Sequence, residues 1–469
     1  MRTIRLTVAQ AMVRFLTCQY SERDGVRQRL IPGCFGIFGH GNVAGVGQAL
    51  PQAHESGEPD LKYYLKYYLA RNEQAMVHAS VGFARMRNRL QAFACTASIG
   101  PGSTNMVTGA ALATINRIPV LLLPSDIFAT RAASPVLQEL EDPRSYDVSL
   151  NDAFRPVSRF FDRIWRPEQL PAALLAAMRV LTDPAETGAV TLALPQDVQA
   201  EAHDWPEDLF AERTWHIPRP VPEPAALARA VHALRAAQRP LIVAGGGVIY
   251  AEASQALRRF AEATGIPVAD TQAGKGALAW DHPCAVGGVG ATGSPVANAL
   301  AREADVVLGV GTRYTDFTTA SRTAFGHPGV RFVNLNIAAF DAGKQAGTAL
   351  VADARAGMEA LTEVMRGWHV DEAYARRAAE LNAGWQRTVD RAYHLGHQPL
   401  PAQTEILGTL NDLMDDRDVV VQAAGSMPGD LQMLWRARDP KQCHVEYGYS
   451  CMGYEIGRAS CRERVLLGV

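Results

Sequence analysis

Glu73 and the bend Gly100-Pro101-Gly102 are the residues whose types and spacing could do chemistry together in this chain. Glu73 heads an apolar stretch, Gln74-Ala75-Met76-Val77-His78, that predicts a helix. A carboxyl at such a place can hold or exchange a proton with a bound group. The same residue type there can also do no more than complement the helix dipole. Further on, Ala94-Cys95-Thr96-Ala97-Ser98-Ile99-Gly100-Pro101-Gly102-Ser103-Thr104-Asn105 reads as a strand running into a glycine-rich bend and then a helix. Glycine lets backbone approach a ligand, and Ser103 or Thr104 can cap the new helix. A tight turn with a capped helix and no ligand is the alternative.

The elements that must position these residues are short, continuously apolar runs at 34–38, 92–96, 119–123 and 189–194, as expected of parallel strands covered on both faces. Ligands of an open α/β sheet sit beyond the carboxyl ends of its strands. Gly39-His40-Gly41-Asn42 and the 100–102 bend both fall there. After the stiff connector Ile217-Pro218-Arg219-Pro220-Val221-Pro222, Arg239-Pro240-Leu241-Ile242-Val243-Ala244-Gly245-Gly246-Gly247 is again a strand entering a glycine turn, and residues 304–311 repeat the design. This predicts a Rossmann-like unit, but the dinucleotide fingerprint is incomplete and no acidic ribose partner is assignable. A third unit opens near Leu400, with a helix-prone stretch at 404–410, a strand at 418–422, and the loop Ala423-Ala424-Gly425-Ser426-Met427-Pro428-Gly429-Asp430.

A chain of 469 residues has room for about three domains with cores of their own. With 48% hydrophobic and 20% charged residues it reads as a soluble globular protein. A net charge of -2 gives no electrostatic footprint for nucleic acid or an anionic membrane, which leaves small-molecule chemistry. The N-terminus lacks the apolar core of a secretory signal and no run is long enough to span a membrane, so a cytoplasmic protein is expected. The 7 cysteines are scattered and form no Cys-x-x-Cys pair. That spacing argues for buried thiols rather than a disulfide framework or zinc site.

Residues 71–78 and 94–105 together resemble the pyrimidine-binding domain of thiamine diphosphate (ThDP) enzymes, the acetohydroxyacid synthase-like family. The resemblance extends over almost the whole chain. Its further carriers are residues 33–43, residues 106–116, the Gly425-Ser426 loop and Tyr449-Ser450-Cys451-Met452-Gly453-Tyr454-Glu455-Ile456. It implies three consecutive open, mainly parallel-sheet α/β domains: a ThDP pyrimidine-binding domain at 1–200, a Rossmann-like middle domain at 223–370, and the start of a diphosphate-binding domain at 400–456. It further implies that Glu73 is catalytic, binding the cofactor's pyrimidine ring and controlling its tautomer, with burial of the carboxyl helping it hold the shared proton. Gly425 and Ser426 would lie near the phosphates, and Met452, with Gly453 beside it, would wedge the cofactor into its bent form. As a lone methionine, Met452 would be core filler instead. His40 and Asn42 are candidates for binding substrate hydroxyls.

Within the family the match is nearest to the branch that hydrolyses a ring carbon–carbon bond. That branch takes a polyhydroxylated cyclic diketone from inositol breakdown to 5-deoxy-glucuronate. A carboligase of the acetolactate synthase kind is the rival activity, and a non-catalytic, oligomer-forming fragment is the rival of another class. The resemblance implies a homodimer or homotetramer, since the family's site lies between the pyrimidine domain of one subunit and the diphosphate domain of another. It also implies Mg²⁺, but the Gly-Asp-Gly that would hold it is absent from this chain, so no metal ligand is assigned. After Ile456 the sequence Gly457-Arg458-Ala459-Ser460-Cys461-Arg462-Glu463-Arg464-Val465 does not suit a buried helix beside a cofactor. Residues 457–469 therefore read as a foreign tail on a truncated, inactive chain. The tandem Leu61-Lys62-Tyr63-Tyr64 and Leu65-Lys66-Tyr67-Tyr68 reads as a four-residue duplication.

Overall fold

The computed structural model describes residues 2–55, 65–423, 425–446 and 448–455. The proposed foreign tail, and the first half of the tandem repeat, lie outside the described residues. The chain divides into two compact units. One runs to Pro218 and takes in the described residues from Gly453, and the other is Arg219–Met452. The division falls inside the proline-rich connector.

The first unit is built on six parallel strands: β1 (Gly33–Gly36), β2 (Lys66–Leu69), β3 (Ala94–Ala97), β4 (Val120–Asp126), β5 (Phe160–Arg163) and β6 (Ala189–Pro195), in the order β2-β1-β3-β4-β6-β5. Every residue of β4 and β6 is buried, as both faces are covered by helices. Met12, Phe15, Leu174 and Met178 pack on Leu121, Leu192 and Leu194. The strand β2 falls on the second half of the tandem repeat. Its Tyr67 stacks on Phe38 at 5.0 Å and its Tyr68 meets Phe93 edge-on at 5.5 Å, so the aromatic pairs fill the sheet edge.

Helix α1 (Glu73–Met86) leads from β2 to β3. Asn72 starts it, its side chain accepting from the amide of Ala75. Helix α2 (Val107–Ile115) follows the bend after β3. Because β1 and β3 are neighbours in the sheet, the loops leaving their carboxyl ends lie side by side.

The second unit holds another six-stranded parallel sheet: β7 (Pro240–Ala244), β8 (Val268–Asp270), β9 (Ala285–Gly288), β10 (Val306–Val310), β11 (Arg331–Asn336) and β12 (Thr348–Val351), in the order β9-β8-β7-β10-β11-β12. Downstream come α3 (Glu372–Tyr393), α4 (Gln403–Leu413), β13 (Val420–Gln422), α5 (Ser426–Leu434) and β14 (Cys443–Val445), with β13 and β14 parallel. Val389 and Tyr393 of α3 share a core with Leu407, Leu431, Leu434 and Trp435. Through α3, the stretch beginning near Leu400 joins the compact unit of the middle sheet. No helix among the described residues is long and apolar enough to cross a membrane.

Candidate active site

The bend after β3 is fixed by its own backbone. Gly100 has φ 73°, and a Cβ there would lie 2.6 Å from the carbonyl oxygen of Gln138, so only glycine fits. The hydroxyls of Ser103 and Thr104 do not cap the helical turn Pro101–Thr104. The Ser103 hydroxyl donates back to the carbonyl of Ser98 at 2.8 Å and that of Thr104 to the carbonyl of Gly100 at 3.3 Å. This corrects the capping expectation. Both hydroxyls tie the turn back to carbonyls of the bend that precedes it, the local side-chain-to-backbone bonding that competes with capping.

Glu73 lies half-buried beside this bend. Its Oε2 accepts a hydrogen bond of 2.8 Å from Nδ2 of Asn105, the residue that ends the glycine-rich turn. Its Oε1 faces Gly102, where a Cβ would stand 3.4 Å away. Among the described residues Oε1 receives no hydrogen bond. One oxygen is therefore held and the other is available. Asn105 lies within the glycine-rich turn, yet its pairing with Glu73 exists only in the folded chain and leaves no mark on the sequence.

The loop after β1 carries His40 and Asn42. Asn42 is 1% exposed. Its Oδ1 accepts from the amide of Gly39 at 2.9 Å, and its Nδ2 donates to the carbonyl of Ile37 and to Oγ1 of Thr96, each at 3.2 Å. Asn42 thus holds the loop together instead of presenting its amide to a substrate, which moves it from the substrate candidates to the scaffold. His40 stays half-buried at the loop's crest, with its Nε2 3.0 Å from the carbonyl of Leu137. A carbonyl can only accept, so Nε2 carries the proton and a neutral His40 offers Nδ1 as an acceptor.

Neighbouring loops lock this pair in place. The amide of Gly41 donates to Oγ of Ser98 at 3.2 Å, and Nε2 of Gln199 donates to the carbonyl of Gly41 at 2.9 Å. Beneath them Arg163, at the end of β5, donates through Nε to Asp126 Oδ2 at 2.6 Å and through Nη2 to Ser149 at 2.8 Å and Asp152 at 3.1 Å. Burial opposes ionisation of Asp152, but the Ser149 amide, Arg155 and Arg163 outweigh it and hold the carboxyl below the usual carboxylate range.

In the second unit, Gly425 has φ 126° and introduces α5 without any side-chain cap. Ser426 and Met427 are exposed at the helix start, where unpaired amides favour an anion. Met452 is 84% exposed and Gly453 has φ 95°. Next to them Tyr454 is fully buried in the first unit, its ring 5.5 Å from that of His78 on α1. Among the described residues no group of three or more His, Cys, Asp or Glu side chains could hold a metal ion.

Two family descriptions match this chain: the N-terminal TPP binding domain of thiamine pyrophosphate enzymes over residues 34–145, and their central domain over 227–361. A protein of Geobacillus thermodenitrificans named 3D-(3,5/4)-trihydroxycyclohexane-1,2-dione hydrolase is 49% identical, over 98% of this chain and 74% of the relative. Proteins of the same name from Bacillus thuringiensis and Bacillus anthracis are each 46% identical over the same shares. With the N-terminal match enclosing Glu73, Asn105 and the loop of His40, and the central match enclosing the middle sheet, this chain belongs to the thiamine pyrophosphate enzyme family.

Proposed function

We propose that this chain is a ThDP-dependent hydrolase that opens 3D-trihydroxycyclohexane-1,2-dione between its two carbonyl carbons, giving 5-deoxy-glucuronate in inositol catabolism. The observation that carries this reading is the Glu73 carboxylate, held through Oε2 and open at Oε1, at the carboxyl end of a sheet whose sequence matches that of the dione hydrolases. In the reaction the bond between the two carbonyl carbons breaks. Water supplies hydroxyl to one carbon, which becomes the carboxylic acid, and hydrogen to the other, which becomes the aldehyde.

The chain's groups suit the cofactor. A carboxyl with one free oxygen fits a ring nitrogen that must share a proton, and the uncapped start of α5 at Gly425 and Ser426 fits a diphosphate. When bound, ThDP supplies the electron sink for carbon–carbon cleavage. Glu73 Oε1 would hold and return the proton shared with the pyrimidine nitrogen. His40, with Nε2 tied to Leu137, would accept from a substrate hydroxyl through Nδ1, and Asn42 would keep that loop in shape. Met452 and Gly453 are proposed as the cofactor's wedge on the family pattern. Mg²⁺ is expected of the family; the described residues give it no ligand set, so no step is assigned to it. We read the enzyme as a cytoplasmic homodimer or homotetramer acting on a polyhydroxylated cyclic diketone.

The test is product analysis with the cyclic dione and, separately, with pyruvate, alongside titration of ThDP. Dione hydrolysis that falls about 10²–10⁴-fold in Glu73→Gln, with ThDP binding retained, supports the reading. Acetolactate from pyruvate would favour the carboligase, and absence of saturable ThDP binding would favour a non-catalytic protein.

A further inference from the structure

The two oxygens of Glu73 are inequivalent, and the residue that makes them so is Asn105. We propose that Asn105 is a positioning residue, whose amide selects Oε1 of Glu73 as the oxygen that carries the exchangeable proton. The inference rests on the reading of Glu73 given above and extends it to a residue whose side chain is bonded to Glu73 alone among the described residues.

A glutamate at the first position of a helix has free rotation about its side-chain bonds, and fixing it costs rotamer freedom unless a partner holds it. Asn105 supplies that partner, donating from Nδ2 to Oε2 at 2.8 Å. The backbone that carries this side chain is itself fixed: Ser103 and Met106 nearby are fully buried, Ser103 is bonded to the carbonyls of Ser98 and Ser125, and the backbone N–H of Asn105 donates to the carbonyl of Pro101 at 3.1 Å. The side chain of Asn105 is exposed and makes no other hydrogen bond among the described residues, so its effect on the fold is small while its effect on Glu73 is direct. An amide N–H can only donate, so it engages one carboxylate oxygen and leaves the proton to the other. Gly102 faces that other oxygen with no side chain, which leaves it accessible.

The test compares Asn105→Ala, Glu73→Gln and the double variant. We expect Asn105→Ala to keep its unfolding temperature and its KM for the dione, and to lose kcat by about 10²-fold, the size expected when a reacting group is misplaced. The double variant should be no slower than Glu73→Gln alone. In cofactor-free protein, Asn105→Ala should shift the infrared carboxylate band of isotope-labelled Glu73, and the shift should vanish in the Glu73→Gln background. A slow Glu73→Gln beside a fast Asn105→Ala, losses that multiply in the double variant, or an unmoved carboxylate band would overturn the proposal by itself. Unchanged turnover in Glu73→Gln would instead overturn the reading on which it rests.

Discussion

Gly109 of α2 lies directly against Val77 of α1: a Cβ added at Gly109 would stand 2.6 Å from both Cβ and Cγ1 of Val77. No real contact is that short, so the two helices approach at a distance that only glycine permits. One helix begins with Glu73, and the other begins two residues after Asn105. The separation of Gly109 and Val77 therefore sets the separation of the carboxylate from its amide partner.

Gly109→Ala should force α2 away from α1. Overpacking costs typically 1–3 kcal/mol, against a gain of about 1 kcal/mol in helix propensity, so a modest net destabilisation is expected. Turnover should fall further than stability because the Glu73–Asn105 bond lengthens. Adding Val77→Ala should recover both, and thermal unfolding with kcat measured on the three variants checks it. An unaffected Gly109→Ala would mean the helices yield without moving the site.

The glycines of the middle unit have a different use. Gly247 backs onto Gly311, where a Cβ would meet the Gly311 Cα at 2.6 Å, and a Cβ on Gly245 would meet the Gly311 carbonyl oxygen at 2.4 Å. The amides of Gly245 and Gly247 already donate to the carbonyls of Val310 and Gly311, at 2.8 and 3.0 Å. A pyrophosphate at this turn would find those donors taken, and the helix behind them, Gly246–Tyr250, is only 5 residues long. Isothermal titration with NAD⁺ and with FAD should show no binding tighter than about 1 mM. A micromolar constant for either would assign this unit a cofactor.

Much of this was legible in the sequence for one physical reason: the strands β4 and β6 are buried on both faces and must be continuously apolar. The same rule hides β2 and β5. Both lie at sheet edges, are mostly half-exposed, and carry charged residues such as Lys66 and Asp162. The position of Glu73 followed from helix-start chemistry and family resemblance. Its bond to Asn105, the tie from Asn42 to Thr96, and the pairing of Arg163 with Asp126 are contacts between residues far apart in sequence. No local pattern encodes them.

That cluster bears on stability. Arg163 is 6% exposed and Asp126 1%, so Arg163→Met would leave a buried carboxylate without its cation at a cost of about 3–5 kcal/mol. Asp126→Asn added to it should restore part of the loss, since the unpaired charge is then gone. Asp152 adds a pH dependence. Its folded carboxyl is held below the usual range, so its contribution is present above that range and is lost as pH falls through the depressed value. The difference in unfolding temperature between wild type and Asp152→Asn should be steady near neutrality and shrink below about pH 4. A difference that grows on acidification would contradict the assigned direction.

The thiols offer a test that needs no variant. Cys18, Cys34, Cys95 and Cys443 are buried and unbridged, whereas Cys284 is partly exposed. Exposure alone predicts that Cys284 reacts readily with an alkylating agent. Its environment argues otherwise: burial, then the nearby Glu262 carboxylate, push its thiol up to about 11, and Sγ donates to the carbonyl of Ala261 at 3.6 Å. Since only the thiolate is nucleophilic, roughly one Cys284 in a thousand is reactive at pH 8, and its alkylation rate should rise about tenfold per pH unit up to pH 10. Peptide mapping by mass spectrometry after brief iodoacetamide treatment of native protein at several pH values measures this rate at Cys284 alone. A plateau near pH 9 would show an ordinary thiol, and would place Cys284 in water rather than against the carbonyl of Ala261.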